Sequence, residues 1–154
     1  MQRVREIVVL GVWLLAIASF AYAQELGKPS QESHAVSIEE LWGNSSFFDE
    51  QPVTVVGVAD LGVGFEARPK LYSSLEAFEH RTDQYISVWF SDDWIEKYAD
   101  ILESLRGKYV RLDAKFSYSP REKIDESDEG FTICLGDCAS PGTLYDIRYI
   151  VLRD

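Results

Sequence analysis

The sequence predicts a mainly β fold, a five-stranded barrel with one substantial helix between its third and fourth strands. Residues 53–59 form a β-branched run that contains a glycine, which is typical of a long, coiled strand. Residues 108–116 alternate between apolar and polar side chains, which indicates a strand with one buried face. Between the third and fourth strands, an acidic start after Ser91 and a glycine stop at Gly107 bracket an amphipathic helix. We therefore expect long strands that coil enough to close a small barrel.

The residues before the barrel predict a leader and a short helix. Residues 24–35 contain Gly and Pro but no apolar period, so we expect a flexible leader there. Ser37 and Glu40 then form a capping box, with Leu41 and Trp42 as apolar anchors of a short helix. We expect this helix to cover one end of the barrel.

The remaining strands are predicted from shorter patterns. Residues 70–72 form a second strand, residues 74–80 form helical turns, and residues 144–152 form the final strand. The third strand spans residues 85–90, and its side chains alternate in direction. Ile86, Val88 and Phe90 point one way, and Tyr85, Ser87 and Trp89 point the other.

The fourth barrel strand gives the clearest division between an inner and an outer face. Its inward residues are predicted to be Val110, Leu112, Ala114 and Phe116. Its outward residues are predicted to be Tyr109, Arg111, Asp113 and Lys115. The apolar set would line the barrel interior, and the polar set would face away from it.

The order of three strands, a helix and two strands resembles the OB-fold, a Greek-key barrel with the same helix position. The resemblance extends over about residues 36–154, and it is carried locally by Val-Thr-Val-Val-Gly-Val at 53–58 and Leu-Arg-Gly-Lys-Tyr-Val at 105–110. In outline the chain is similar to exported bacterial proteins with a single OB-like domain. This resemblance implies binding of nucleic acid, oligosaccharide or protein on the face of the second and third strands.

The first 23 residues predict export. Arg3 and Arg5 precede an apolar run over residues 7–20, and Ala21-Tyr22-Ala23 supplies a small-x-small cleavage signature. We expect cleavage before Gln24 and a periplasmic or otherwise secreted protein. No later segment approaches the roughly 20 apolar residues of a membrane span, so no stable span is expected after cleavage.

The net negative charge of the chain disfavours some classes of binding partner. The chain has 15 Lys and Arg against 26 Asp and Glu, a formal net charge of -11. Non-specific nucleic-acid binding depends on clustered cations that neutralise phosphates, so this balance disfavours it, as it disfavours anionic membrane surfaces. The sequence does not identify the partner, and an envelope protein and a glycan are the two candidates.

Cys134 and Cys138 are predicted to form a local disulfide. They are the two cysteines of the chain, and Gly136 between them permits a tight bend. A redox pair is more typically Cys-x-x-Cys at a helix start, and a zinc site would need two further ligands, which His34 and His80 are poorly placed in sequence to supply.

A candidate ligand face consists of four aromatic residues and one arginine that could share an outward surface: Tyr72, Tyr85, Trp89, Tyr109 and Arg111. Aromatic platforms of this kind stack on sugars or bases. The alternative is that strand propensity alone places them there and that some pack under the N-terminal helix. Arg111 alternates with Asp113 and Lys115, which is also typical of a salt-bridge ladder.

Other chemical sites are indicated weakly. Residues 125–130 begin like a calcium loop, but Gly136 stands at position twelve in place of a bidentate Glu, so a solvated acidic loop is favoured. No Gly-x-Ser-x-Gly motif occurs, and Asn44 begins a glycosylation sequon that matters only in a eukaryotic source.

These patterns together predict a small exported module that binds a partner or serves a structural role, with no metal or cofactor and no enzymatic activity. Two alternatives stay open. One is binding of an oligosaccharide or a single-stranded nucleic acid through the aromatic strand face. The other is a small hydrolase or a thiol-redox enzyme of the cell envelope.

Overall fold

A computed structural model describes residues 25–64, 67–119 and 140–153. In that part of the chain the strands are β1 (Glu25–Gly27), β2 (His34–Val36), β3 (Pro52–Asp60), β4 (Lys70–Tyr72), β5 (Tyr85–Val88), β6 (Tyr109–Tyr118) and β7 (Gly142–Leu152). The helices are α1 (Ile38–Gly43), α2 (Leu75–Glu79) and α3 (Asp92–Ser104). The signal peptide predicted over residues 1–23, the acidic loop at 125–130, Cys134 and Cys138 lie outside the described residues.

Five of the strands close into a barrel. β3 pairs with β4, β4 with β5, β5 with β7, β7 with β6, and β6 again with β3. All these pairs are antiparallel except β5 with β7, which is parallel. The helix α3 connects the third barrel strand to the fourth. This is the predicted five-stranded, OB-like Greek-key barrel, and the fold class is confirmed.

Side-chain alternation fills the barrel interior with apolar groups. The predicted inward residues of β6, Val110, Leu112, Ala114 and Phe116, are all buried. They pack with inward residues of the other strands, among them Val53, Val55, Leu71, Ile86, Leu144 and Ile150. Such a core is the main source of stability for a barrel of this size.

The short helix α1 begins as its capping box predicts. The Ser37 Oγ accepts a hydrogen bond from the backbone N–H of Glu40 over 3.0 Å. Its buried residues Ile38 and Leu41 join the core, and Trp42 packs partly against it. The helix thus adds a cover to the barrel, as the sequence predicts.

The segment at 25–36 differs from the predicted flexible leader, because it contains two paired strands. β1 pairs antiparallel with β7, and β2 pairs parallel with β3. Since β6 lies between β7 and β3, the intervening residues cross β6 on the outside of the barrel. We call residues 25–36 the strap. Leu26 of the strap is buried, but a single apolar residue in a three-residue strand produces no periodicity.

Within the described residues, no helix is both long enough and apolar enough to cross a membrane.

Candidate functional site

The predicted aromatic face exists as a row on the outside of the barrel. In the strand register Tyr85 pairs with Tyr72, Tyr72 with Val58, and Val58 with Tyr109. Tyr72 and Tyr85 are nevertheless only 2% and 4% exposed. The sequence therefore predicted their direction correctly, but another element covers them.

That cover is α2, with help from α1. Phe78 of α2 meets the Tyr72 ring edge to face at a centroid distance of 5.8 Å. Trp42 of α1 donates its indole N–H to the carbonyl oxygen of Tyr85 over 3.1 Å. The Lys70 ammonium lies 3.9 Å from the centre of the Tyr85 ring. The middle of the row is therefore packed under helices and cannot act as a stacking platform in this conformation.

The other two aromatic residues of the predicted face stay accessible but separate. Trp89 is 57% exposed and borders a cleft of about 330 Å³ whose lining includes Val63 and Pro69. Tyr109 is 42% exposed, and its hydroxyl accepts a hydrogen bond from the backbone N–H of Leu75 over 3.4 Å. With Tyr72 and Tyr85 covered, the four rings do not form one continuous surface.

Arg111 belongs to a ladder of charged groups rather than to the aromatic row. Its Nε lies 3.2 Å from the Oδ1 of Asp113, and its guanidinium lies 5.9 Å from the centre of the Tyr149 ring. Further along β6, the Lys115 ammonium approaches Asp146 of β7 at 4.0 Å. The geometry is that of the salt-bridge ladder that the sequence offered as the alternative to a ligand site.

Asp113 points outward as predicted, yet it is fully buried because the strap covers it. Its carboxylate accepts hydrogen bonds from the Thr54 hydroxyl at 2.8 Å and the Ser30 backbone N–H at 3.1 Å, in addition to those from Arg111. Since Thr54 donates its one hydroxyl hydrogen to Asp113, the Ser33 hydroxyl must be the donor in its 2.5 Å contact with Thr54. A carboxylate saturated with donors in this way anchors structure and is poorly placed for acid–base chemistry.

The strap and α3 enclose a cleft of about 810 Å³, which we call the strap–helix cleft. Its lining comprises residues 27–32 of the strap together with Ser91, Asp93, Trp94, Lys97, Tyr98 and Arg148. The cleft lies outside the barrel, on the side where β1 joins β7. It combines two aromatic side chains with cationic and oxygen-bearing side chains in one concave surface.

The aromatic wall of the cleft follows from helical spacing. Trp94 and Tyr98 are four residues apart on α3, so their side chains share a face. Their ring centroids are 4.8 Å apart with an interplanar angle of 51°. Phe90 packs behind Trp94 at a centroid distance of 6.1 Å. The two rings are thus held in place and present faces at an angle to each other.

The opposite wall depends on a glycine. Gly27 has a φ of +87°, and a Cβ atom there would lie 2.0 Å from the carbonyl oxygen of Arg148 and 3.2 Å from Cζ2 of Trp94. The next residue, Lys28, donates its backbone N–H to that same carbonyl over 2.8 Å. The strap can approach Trp94 this closely only because residue 27 has no side chain.

Three cationic side chains line the cleft, although the chain as a whole is strongly acidic. Lys28 and Lys97 line it, and neither lies within ion-pair distance of a carboxylate in the described part of the chain. The Lys97 ammonium instead lies 4.9 Å from the centre of the Tyr98 ring. The third cation, Arg148, is held by Asp146 at 3.0 Å. Two ammonium groups therefore border the cleft without an anionic partner among residues 25–64, 67–119 and 140–153.

No protein family matches this sequence, and no curated protein matches it. Among solved structures, the chain is similar to a protein provisionally assigned as an aspartyl-tRNA synthetase from Leishmania major Friedlin, with 10% identity and a TM-score of 0.48. The match covers 92% of this chain and 25% of that one, so this chain spans about a quarter of its length. A likeness at this level transfers no function.

Other side chains with chemical potential stay apart. His34 lies exposed on β2, and His80 lies exposed at the end of α2. Within residues 25–64, 67–119 and 140–153, no three His, Cys, Asp or Glu side chains come together as a metal site would require. The predicted cysteine loop falls outside those ranges.

Sequence reasoning missed the strap–helix cleft. The available signal was the pair Trp94 and Tyr98, four residues apart on the predicted helix with Lys97 between them. Helical spacing also places Tyr98 next to the apolar face that packs on the barrel, and its side chain does pack partly against the core. The second wall could not be anticipated, because the strap has no periodic pattern.

Proposed function

We propose that the protein is an exported binding module without enzymatic activity, similar to exported bacterial single-domain OB-like proteins, and that the strap–helix cleft is its ligand site. The observation that carries the proposal is the pair Trp94 and Tyr98, held at 4.8 Å beside Lys28 and Lys97. Ligand sites typically combine a fixed aromatic surface with a few charged groups that orient the ligand.

The cleft is a better candidate than the barrel face used by typical OB-like binding proteins. That face corresponds to β4 and β5, where Tyr72 and Tyr85 are buried under Phe78. Opening it would expose a packed aromatic cluster to water, which costs free energy in proportion to the apolar area exposed. The strap–helix cleft requires no such opening.

A second candidate is the surface around Trp89, which continues the hypothesis of oligosaccharide or single-strand binding through an aromatic strand face. Trp89 is more than half exposed next to an apolar cleft, so it could stack on a ligand. Trp89 therefore serves as the matched comparison for Trp94.

The test is capture from the envelope fraction of the producing cell, with bound glycans, small molecules and proteins identified by mass spectrometry. The wild type is compared with Trp94→Ala and Trp89→Ala. A ligand retained by Trp89→Ala and lost with Trp94→Ala supports the strap–helix cleft. A ligand lost with Trp89→Ala and retained by Trp94→Ala would place the site at the Trp89 surface. Capture that is unchanged by either substitution would overturn the proposal.

Because Trp94 packs partly against the core, Trp94→Ala can weaken the fold, and a second variant is needed. Lys97→Glu reverses an exposed charge in the same cleft and removes only the contact between the ammonium group and the Tyr98 ring. Its unfolding midpoint should fall much less than that of Trp94→Ala, while its ligand capture should fall. Unchanged capture with Lys97→Glu would argue against the cleft even if Trp94→Ala failed to fold.

Export and the disulfide can be checked on the same material. Intact mass should identify a chain that begins at Gln24 and lacks both thiol hydrogens of Cys134 and Cys138. A structural disulfide should resist mild reductant, whereas ready reduction would favour the thiol-redox alternative.

A further inference from the structure

We infer that the ligand of the strap–helix cleft is an acidic saccharide, one whose sugar rings carry carboxylates of the hexuronic acid type. This inference rests on the proposed function, since it names the chemistry of the same site. It draws on three features of the cleft: the geometry of its rings, its mixture of donors and acceptors, and its two ammonium groups, which no carboxylate of the described residues pairs.

The aromatic wall suits a sugar ring. The C–H groups on one face of a pyranose carry slight positive charge and pack favourably on the negative face of an aromatic ring. The rings of Trp94 and Tyr98 are inclined at 51° to each other, and a puckered saccharide can follow such an angle more easily than a flat ligand can. Flat nucleobases would instead stack best on rings that are parallel to them.

The polar groups of the cleft also favour a ligand rich in hydroxyls. Glu32 and Asp93 contribute carboxylates, and Ser30 and Ser91 contribute hydroxyl oxygens. These groups accept hydrogen bonds, and sugar hydroxyls can donate them. A phosphodiester backbone would bring one negative charge per nucleotide towards these two carboxylates, whereas a sugar ring with a single carboxylate also brings several hydroxyl donors for them. The mixture therefore separates a glycan from a nucleic acid.

The ammonium groups of Lys28 and Lys97 indicate that the saccharide carries negative charge. Lys28 on the strap and Lys97 on α3 belong to opposite walls of the cleft and have no carboxylate partner among the described residues. A carboxylate on a bound sugar ring would give the ammonium groups an anionic partner. Charge-assisted hydrogen bonds of this kind are about twice as strong as neutral ones. A neutral glycan would leave both ammonium groups unused.

The test is calorimetric titration of the exported full-length protein with an oligomer of hexuronic acid, a neutral hexose oligomer of the same length and linkage, and inorganic phosphate. We expect the acidic oligomer to bind at least about tenfold more tightly than the neutral one, as one or two charge-assisted contacts would provide. Phosphate alone should bind weakly, because it makes no contact with the aromatic wall.

Variants of the two lysines locate the effect. The double substitution Lys28→Gln and Lys97→Gln should reduce affinity for the acidic oligomer to that for the neutral oligomer, and raised salt should do the same in the wild type. Lys108→Gln, an exposed lysine outside the cleft, should leave affinity unchanged. Equal losses with Lys108→Gln would mean non-specific attraction and would overturn the inference.

The remaining outcomes separate the inference from the proposed function. Equal binding of neutral and acidic oligomers, or binding of neither, overturns the acidic saccharide. The binding module itself survives either result if ligand capture still depends on Trp94 and Lys97. If phosphate binds as tightly as the acidic oligomer, the cleft is an anion site without sugar recognition, and the inference fails.

Discussion

The backbone N–H of Ser30 donates to the Oδ2 of Asp113 over 3.1 Å and joins the middle of the strap to the outside of β6. The two ends of the strap are held separately, by β1 on β7 and by β2 on β3. The strap also forms one wall of the strap–helix cleft. Asp113, which does not line the cleft, therefore helps to position a wall of the candidate site.

We predict that Asp113→Ala lowers the free energy of unfolding by about 1–3 kcal/mol, the usual cost of leaving buried hydrogen-bonding groups without their partner. The substitution leaves the Thr54 hydroxyl and the Ser30 N–H without their acceptor, while water can reach the partly exposed Arg111. Denaturation in urea measures this loss. The matched control is Asp146→Asn, which weakens an exposed pair with Arg148 and should change stability by less than about 1 kcal/mol.

The same variant tests the coupling between fold and site. If the Ser30 bond holds the strap, Asp113→Ala should increase hydrogen exchange at the backbone amides of residues 28–33 more than in the interior strands. Exchange that rises evenly over the whole barrel would show that Asp113 stabilises the fold without acting on the strap in particular.

Gly27→Ala should disrupt the strap at its other anchor. A Cβ at this position would lie 2.0 Å from the Arg148 carbonyl oxygen, and the φ of +87° disfavours any L side chain. We expect the Lys28 amide to lose protection from exchange, and stability to fall by at least about 1–3 kcal/mol, the cost of a strained backbone residue. The control is Gly43→Ala at the end of α1, where a Cβ meets nothing within 4 Å. That variant should be neutral or slightly stabilising.

The barrel could be predicted from the sequence because its long elements carry strong local patterns. In β6, the four apolar positions from Val110 to Phe116 are all buried, as strict alternation requires. The helix α3 has Ser91 at its N-cap and Gly107 with a φ of +75° just beyond its end. Local pattern and tertiary packing agree at these positions, so either one is sufficient to identify the element.

The strap and the cover over the aromatic row could not be predicted, because only tertiary contacts create them. The strap is held by a bond between residues 30 and 113 and by two strands of three residues each. The outward direction of Tyr72 and Tyr85 follows from strand alternation, but alternation says nothing about the helix that packs above them. The strap–helix cleft could not be predicted for the same reason, since one of its walls is the strap.

The last prediction concerns the pH dependence of stability and the hydrogen bond that Tyr145 of β7 makes with Glu50. The Tyr145 hydroxyl donates to the Oε2 of Glu50 over 2.6 Å. This bond, with a smaller contribution from burial, raises the pKa of Tyr145 from 10.0 to about 12. The folded state therefore favours protonated Tyr145 more than the unfolded chain does, because an ionised phenol would face a carboxylate.

The sign of the effect follows from linkage. A raised pKa contributes stability that is complete below pH 10 and is lost as the pH rises from 10 to about 12. The stability advantage of the wild type over Tyr145→Phe should thus be constant up to about pH 10 and shrink above it. Urea denaturation of both proteins at a series of pH values measures the difference, and other tyrosines cancel because both proteins contain them.

Glu50→Gln provides the control for this pH dependence. The glutamine amide oxygen can still accept from Tyr145 but no longer repels the ionised phenol, so the loss between pH 10 and 12 should be smaller in that background. If the difference between wild type and Tyr145→Phe stays constant to pH 12, the bond to Glu50 does not control the ionisation of Tyr145. An equally steep loss in the Glu50→Gln background would show that the charge of Glu50 is not what raises the pKa of Tyr145.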